Sequence, residues 1–224
     1  MTRRGAIWGL GALLVIGVLA LWQVAVRRLD FFAVRSIEVV GLRHLEEHAL
    51  VEALGIPPDA HVAIDLAPIA ARARGYAGVR EATVRRRLPG TLVVEVVEAP
   101  AVAIVRHDDQ VVVMDDRGQA LPVLPSRLTT SLPLSEQDSV VAALLGRLQA
   151  TDPAWFAVID RAVRIGGDVV LRAGLRSVRV PAGAGAPEFL DLAAVRDALE
   201  ARQLGWTTID ARFAGRMFVR RSPA

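Results

Sequence analysis

His44-Leu45-Glu46-Glu47-His48 places two imidazoles four residues apart around two carboxylates, which formally matches the H-x-x-E-H zinc signature. On a helix, His44 and His48 would share a face, as two ligands of one zinc ion must. The competing reading is a polar opening turn, because acids are favoured near the positive end of a helix. No third-ligand motif follows. The chain has no cysteine, which excludes disulfides, thiolate zinc sites, iron–sulfur clusters and a cysteine nucleophile. All 27 basic residues are arginine, so a P-loop lysine and a Schiff-base lysine are excluded as well. There is no G-x-S-x-G, no G-x-G-x-x-G after a strand, and no pair of acids in a glycosidase-like frame. Arg85-Arg86-Arg87 lacks interleaved aromatics and reads as a solvated strand face rather than a nucleic-acid contact. The pI near 10.7 reflects arginine as the sole base, since the formal net charge is only +3. The residues lead to an expectation of no catalytic, cofactor-binding or metal-binding residue, with a membrane-anchored zinc-type hydrolase on His44 and His48 as the alternative.

The elements that would position any site begin with an apolar run. A mean hydropathy of +0.37 is high for a soluble chain of 224 residues. The excess is concentrated in residues 5–26, where Gln23 is the only polar side chain. About 22 residues at 1.5 Å each span roughly 33 Å, enough for a hydrocarbon core of about 30 Å. Trp8 and Leu14 lie within the run, Trp22 stands where an interfacial anchor belongs, and arginine pairs flank both ends. A cleaved signal peptide is the competing reading, with Val18-Leu19-Ala20 as its cleavage triplet, but such apolar cores usually run about 7–15 residues. About four residues precede the run and nearly 200 follow, and long domains translocate largely regardless of charge. The expected topology is a single pass, with a cytoplasmic stub at 1–4, a transmembrane helix at 5–26 and an extracytoplasmic body.

That body reads as two α+β domains. Across 32–100 the order is strand, helix, helix, strand, strand. Val34–Val40 stops at Gly41, and Leu45, Ala49, Leu50, Ala53 and Leu54 recur at helical spacing before Gly55. Asp65 caps a second helix through Leu66, Ile69, Ala70 and Ala73. Strands at 79–88 and 92–97 follow, joined by Pro89-Gly90-Thr91. A three-residue connection sets Leu88 opposite Leu92 with both in the core, and Arg85 opposite Glu95 outside. From 101 to 221 the pattern is a mixed β domain with two helices. Strands are expected at 101–107, 110–115, 159–165, 169–172 and 175–180, helices at 140–148 and 189–202, and a Pro- and Ser-bearing loop at 123–135. Thr207, Ile209, Ala211 and Phe213 share one face, Ala214-Gly215 turns the chain, and Met217-Phe218-Val219 closes it. Three successive apolar residues do not alternate, so this final strand is expected to be covered by something.

Val79, Ala82, Val84, Pro89, Leu92, Glu98 and Pro100 fit the frame V-x-x-A-x-V-x-R-x-x-P-x-x-L followed by acid-x-Pro-x-A, with Arg85 and Ala103 each one residue from its place, and the stretch resembles the POTRA module of the bacterial cell-division family FtsQ/DivIB. Ala99, where the family often has arginine, and Asp59, in place of a turn glycine, depart from it. Ile209, Asp210, Arg212 and Phe213 resemble the closing hydrophobic–Asp–x–Arg–aromatic strand of that family's β domain. The resemblance implies a non-catalytic scaffold in the cytoplasmic membrane, joining early and late septal proteins. Its implied partners are small bitopic coiled-coil proteins of the FtsB and FtsL type, added as a strand to the C-terminal edge. Arg212, Phe213, Arg216, Met217, Phe218, Val219 and Arg220 are the expected contact residues. A POTRA-bearing transport accessory protein is a further alternative, although it would call for tandem modules and a barrel.

Overall fold

The computed structural model describes residues 32–107, 110–123, 128, 131–213 and 215–222. The expected anchor, with Trp8, Leu14 and Trp22, lies outside the described residues. Among those described, no helix is long and apolar enough to cross a membrane.

The chain divides into two compact units, with residues 46–97 in the first and 98 onward in the second. The first contains β1 (Ser36–Val40), α1 (Glu47–Leu54), α2 (Leu66–Gly75), β2 (Val79–Arg87) and β3 (Thr91–Glu98). Its sheet order is β1-β3-β2, with β1 parallel to the central β3 and Ile37 beside Leu92. Parallel neighbours need a long crossover, which the two helices supply. Asp65 caps α2 as expected, accepting the Ala67 N–H at 3.0 Å. Gly55 ends α1 in the left-handed conformation at φ 57°. Leu50, Leu54, Ile69 and Ala73 from the helices are buried, as are Leu92, Val94 and Val96 from β3.

The β2–β3 turn corrects one expectation. Leu88 is not in the core but 67% exposed, because β2 ends at Arg87. The turn buries Gly90 instead, packing it on the segment that leads into β1. The Arg35 N–H donates to the Gly90 carbonyl at 2.8 Å. Arg85 does pair with Glu95. Arg87 pairs with Glu38 on β1, across β3, where Val93 stands in register with Glu38 and is buried.

The second unit is built on one nine-stranded sheet. Its strands are β4 (Ala101–His107), β5 (Gln110–Asp115), β6 (Ala120–Leu121), β7 (Leu134–Ser135), β8 (Arg161–Ile165), β9 (Asp168–Ala173), β10 (Arg176–Pro181), β11 (Trp206–Phe213) and β12 (Arg216–Arg221). Their spatial order is β12-β11-β10-β9-β8-β7-β4-β5-β6. Helices α3 (Ser139–Thr151) and α4 (Pro153–Phe156) carry the chain from β7 to the parallel β8, and α5 (Ala186–Ala201) from β10 to the parallel β11. Three helices therefore replace the expected two. Asp138 caps α3, accepting from Val140 at 2.7 Å, and that helix buries Val141, Leu144, Leu145 and Leu148. Asp152 caps α4 through Trp155 at 2.9 Å and pairs with Arg196 of α5, whose guanidinium lies 4.5 Å from the Trp155 ring. The expected loop at 123–135 contains β7, a strand too short to leave any periodicity.

A Cβ on Gly90 would lie 2.4 Å from the Ala33 carbonyl oxygen, so the backbone itself must move. Gly90→Val is expected to destabilise the chain by about 1–3 kcal/mol. Gly75→Ala, where an added Cβ meets nothing within 4 Å, should leave the thermal melt nearly unchanged. Equal melting of the two variants would contradict this packing.

Candidate functional site

The zinc reading requires His44 and His48 on one helix, and the structure separates them. Helix α1 begins at Glu47, leaving His44 in the preceding loop. Its ring Nδ1 lies 3.2 Å from Glu98 Oε2. Glu98 Oε1 accepts the backbone N–H groups of Arg43 at 2.7 Å, His44 at 3.0 Å and Leu45 at 3.0 Å. Burial would raise the Glu98 carboxyl, but these donors together outweigh it and hold the carboxyl below its ordinary value. The acid of the acid-x-Pro pattern is thus a clasp for three amides. Among the described residues, no group of three or more His, Cys, Asp or Glu stands close enough to share a metal ion.

The expected contact residues come together at the other end of the second unit. β12 forms one edge of the nine-stranded sheet, antiparallel to β11 with Ile209 beside Val219 and Asp210 beside Phe218. The register shifts between Asp210 and Phe213, and this bulge ends the strict alternation. Ile209 and Ala211 stay buried, whereas Phe213 turns outward and is 50% exposed. The sequence pattern had put all three on one face. Phe213 meets Phe218, 59% exposed, edge to face at 5.5 Å between ring centroids. Met217 and Val219 are half-buried on β12.

Charge fixes this aromatic pair from the side. Arg212 donates to Asp210 in a bidentate manner, Nε to Oδ1 at 2.9 Å and Nη2 to Oδ2 at 2.7 Å. Its Nη1 also reaches Asp168 Oδ2 at 3.4 Å, where Arg179 Nη2 arrives at 2.8 Å. The hydrogen bonds from Arg212 lower the Asp210 carboxyl, and the same contact raises the Arg212 guanidinium. The Arg212 guanidinium carbon lies 5.4 Å from the Phe213 ring centroid. Arg212 is therefore committed within the chain. Arg216 and Arg220 are exposed and make no ion pair among the described residues. Asp168 and Arg179 carry no signal in the sequence, because they reach Arg212 only through the strand order β9-β10-β11. What the arrangement offers, among the described residues, is a sheet edge with two exposed phenyl rings and the exposed, unpaired Arg216, Arg220 and Arg221.

Because the folded Glu98 carboxyl lies below its ordinary value of 4.5, the unfolded chain binds more protons in acid. Its stabilisation is fully present above about pH 4.5 and is lost as pH falls through the folded value. Glu98→Gln should cost about 1–3 kcal/mol at neutral pH and flatten the acid limb of the stability curve. An unchanged acid limb would contradict the clasp.

Comparison with known proteins agrees with this architecture. Residues 32–99 match the FtsQ-type POTRA domain family. The chain is 33% identical over 119 residues to the cell division protein FtsQ of Novosphingobium aromaticivorans, covering 52% of this chain and 37% of that protein. It is 30% identical over 138 residues to the FtsQ of Zymomonas mobilis, covering 60% and 44%. Identity to the FtsQ of Caulobacter vibrioides is 28% over 104 residues, covering 46% and 34%. The chain thus spans less than half the length of the curated relatives it matches. The chain carries an FtsQ-type POTRA domain over 32–99, followed by a mixed β domain, and over part of its length it is similar to cell division proteins named FtsQ.

Proposed function

We propose that this chain is a non-catalytic, single-pass membrane scaffold of the bacterial division machinery. In this reading residues 5–26 anchor it in the cytoplasmic membrane, residues 1–4 lie in the cytoplasm, and the POTRA and β domains lie outside. It links early and late septal proteins by accepting a partner strand on β12. The partners are small bitopic coiled-coil proteins of the FtsB and FtsL type.

The observation that supports this most is the open edge itself. Among the described residues, one side of β12 has backbone N–H and C=O groups without a neighbouring strand, and strand addition satisfies such groups. Phe213 and Phe218 supply apolar anchors of the kind that dominate binding energy. Arg216 and Arg220 would steer an acidic segment, raising the association rate more than the affinity. Arg212 is assigned to holding Phe213 in place, since its guanidinium is already engaged.

Phe218→Ala should weaken binding of an FtsB-type extracytoplasmic segment by about 1–3 kcal/mol, roughly 5- to 150-fold in Kd, with the thermal melt nearly unchanged. Val219→Pro, which restricts φ and removes a backbone donor, should weaken it further. Unfolding by both substitutions would make β12 core and not interface. Unchanged affinity in both would place the partner elsewhere.

A further inference from the structure

The Arg85-Arg86-Arg87-Leu88-Pro89 run has no part in the C-terminal edge. It forms the exposed tip of the β2–β3 hairpin, and Leu88 is the most exposed large apolar side chain among the described residues of the first unit, at 67%. The arginines also make contacts within the fold, but the outward Leu88 buries little and is poorly explained by folding. Where the tip lies is informative. Ser36 of β1 pairs with Thr91 of β3, so both strands start at the tip end. The Arg35 N–H donates to Gly90 at 2.8 Å, and the Ser36 and Thr91 hydroxyls meet at 2.8 Å. The Val62 N–H donates to the Phe32 carbonyl at 2.8 Å, and Arg86 donates to the Val62 and Ile64 carbonyls, both at 2.6 Å. Phe32, where the described chain begins, therefore stands at the same end of the unit as Leu88.

We infer that this tip contacts the surface of the bilayer in which residues 5–26 are anchored, with Leu88 entering the interface and the arginines beside it meeting anionic headgroups. The inference rests on the reading of 5–26 as an anchor. Only residues 27–31 separate that run from Phe32, a reach of at most about 18 Å when extended. The tip is thus tethered within a few residues of the headgroup layer. Arginine flanking an exposed apolar residue is the composition that binds such a surface, combining attraction to anionic lipid with apolar insertion. Arg85 and Arg87 pair with Glu95 and Glu38 through exposed contacts, which exchange readily with headgroup phosphates.

The absence of cysteine allows a clean test in the full chain. Leu88→Cys and Val97→Cys, the second about 20 Å along β3 from the tip and 52% exposed, each give one site for a fluorophore. In nanodiscs of phosphatidylglycerol and phosphatidylcholine with spin-labelled lipid, quenching at position 88 should exceed that at 97 at least threefold. Phosphatidylcholine alone should reduce quenching at 88 at least twofold, and no reduction would overturn the part given to the arginines. A chain stripped from membranes by alkaline carbonate overturns the anchor and this inference with it. A chain that stays, with position 88 quenched no more than 97, overturns the tip contact alone.

Discussion

Nine strands become one sheet in the second unit because two residues join its halves. Leu134 and Ser135 of β7 pair in parallel with Ile104 and Val105 of β4 on one side, and with Arg161 and Ala162 of β8 on the other. Two further bonds extend the join: Ile104 N–H to the Pro133 carbonyl and Leu134 N–H to the Asp160 carbonyl, each at 2.9 Å. Without this join, β4–β6 and β8–β12 would be separate sheets, each with an inner edge. Helix α3 starts four residues after Ser135 and buries its apolar face, which closes the core around the junction. Continuity through β7 leaves β12 as an outer edge of a nine-stranded sheet rather than the edge of a five-stranded one.

An open edge is a liability that folded chains usually blunt with charge, bulges or short length. Here the edge is six residues long, bulged opposite Asp210–Phe213, and carries Arg216, Arg220 and Arg221. Those devices discourage indiscriminate pairing but do not remove the edge. The Asp168–Arg212–Asp210 network has the opposite effect, holding Phe213 beside Phe218 in solvent. An exposed phenyl pair costs solubility, and fixing it beforehand lowers the ordering cost when a partner arrives. Pre-organisation of that kind suits the partner interface proposed for β12.

The elements legible in the sequence were those with periodicity or a cap. Asp65 marked α2 through its short side chain, and the strands at 101–107 and 110–115 showed in their runs of β-branched residues. The strand–helix–helix–strand–strand order of the first unit followed from alternation and helical spacing together. What stayed hidden was set by long-range packing. A two-residue strand such as β7 has no period, and the four-residue α4 is too short to repeat. Leu88 looked like core because it shares parity with Ala82 and Val84, but a strand that ends one residue earlier frees it. The C-terminal site was half visible: Phe213 and Phe218 could be named from the strand pair, whereas the bulge that turns Phe213 outward could not.

Amide hydrogen exchange along β12 tests the central claim most directly. If its outer edge is open and awaits a strand, every second amide of Arg216–Arg221 should exchange quickly in the free chain while β9–β11 are protected. Adding the proposed partner, an FtsB-type segment, should slow those amides strongly and leave β4–β6 unaltered. Slow exchange throughout β12 in the free chain, or protection that develops away from it, would contradict the account.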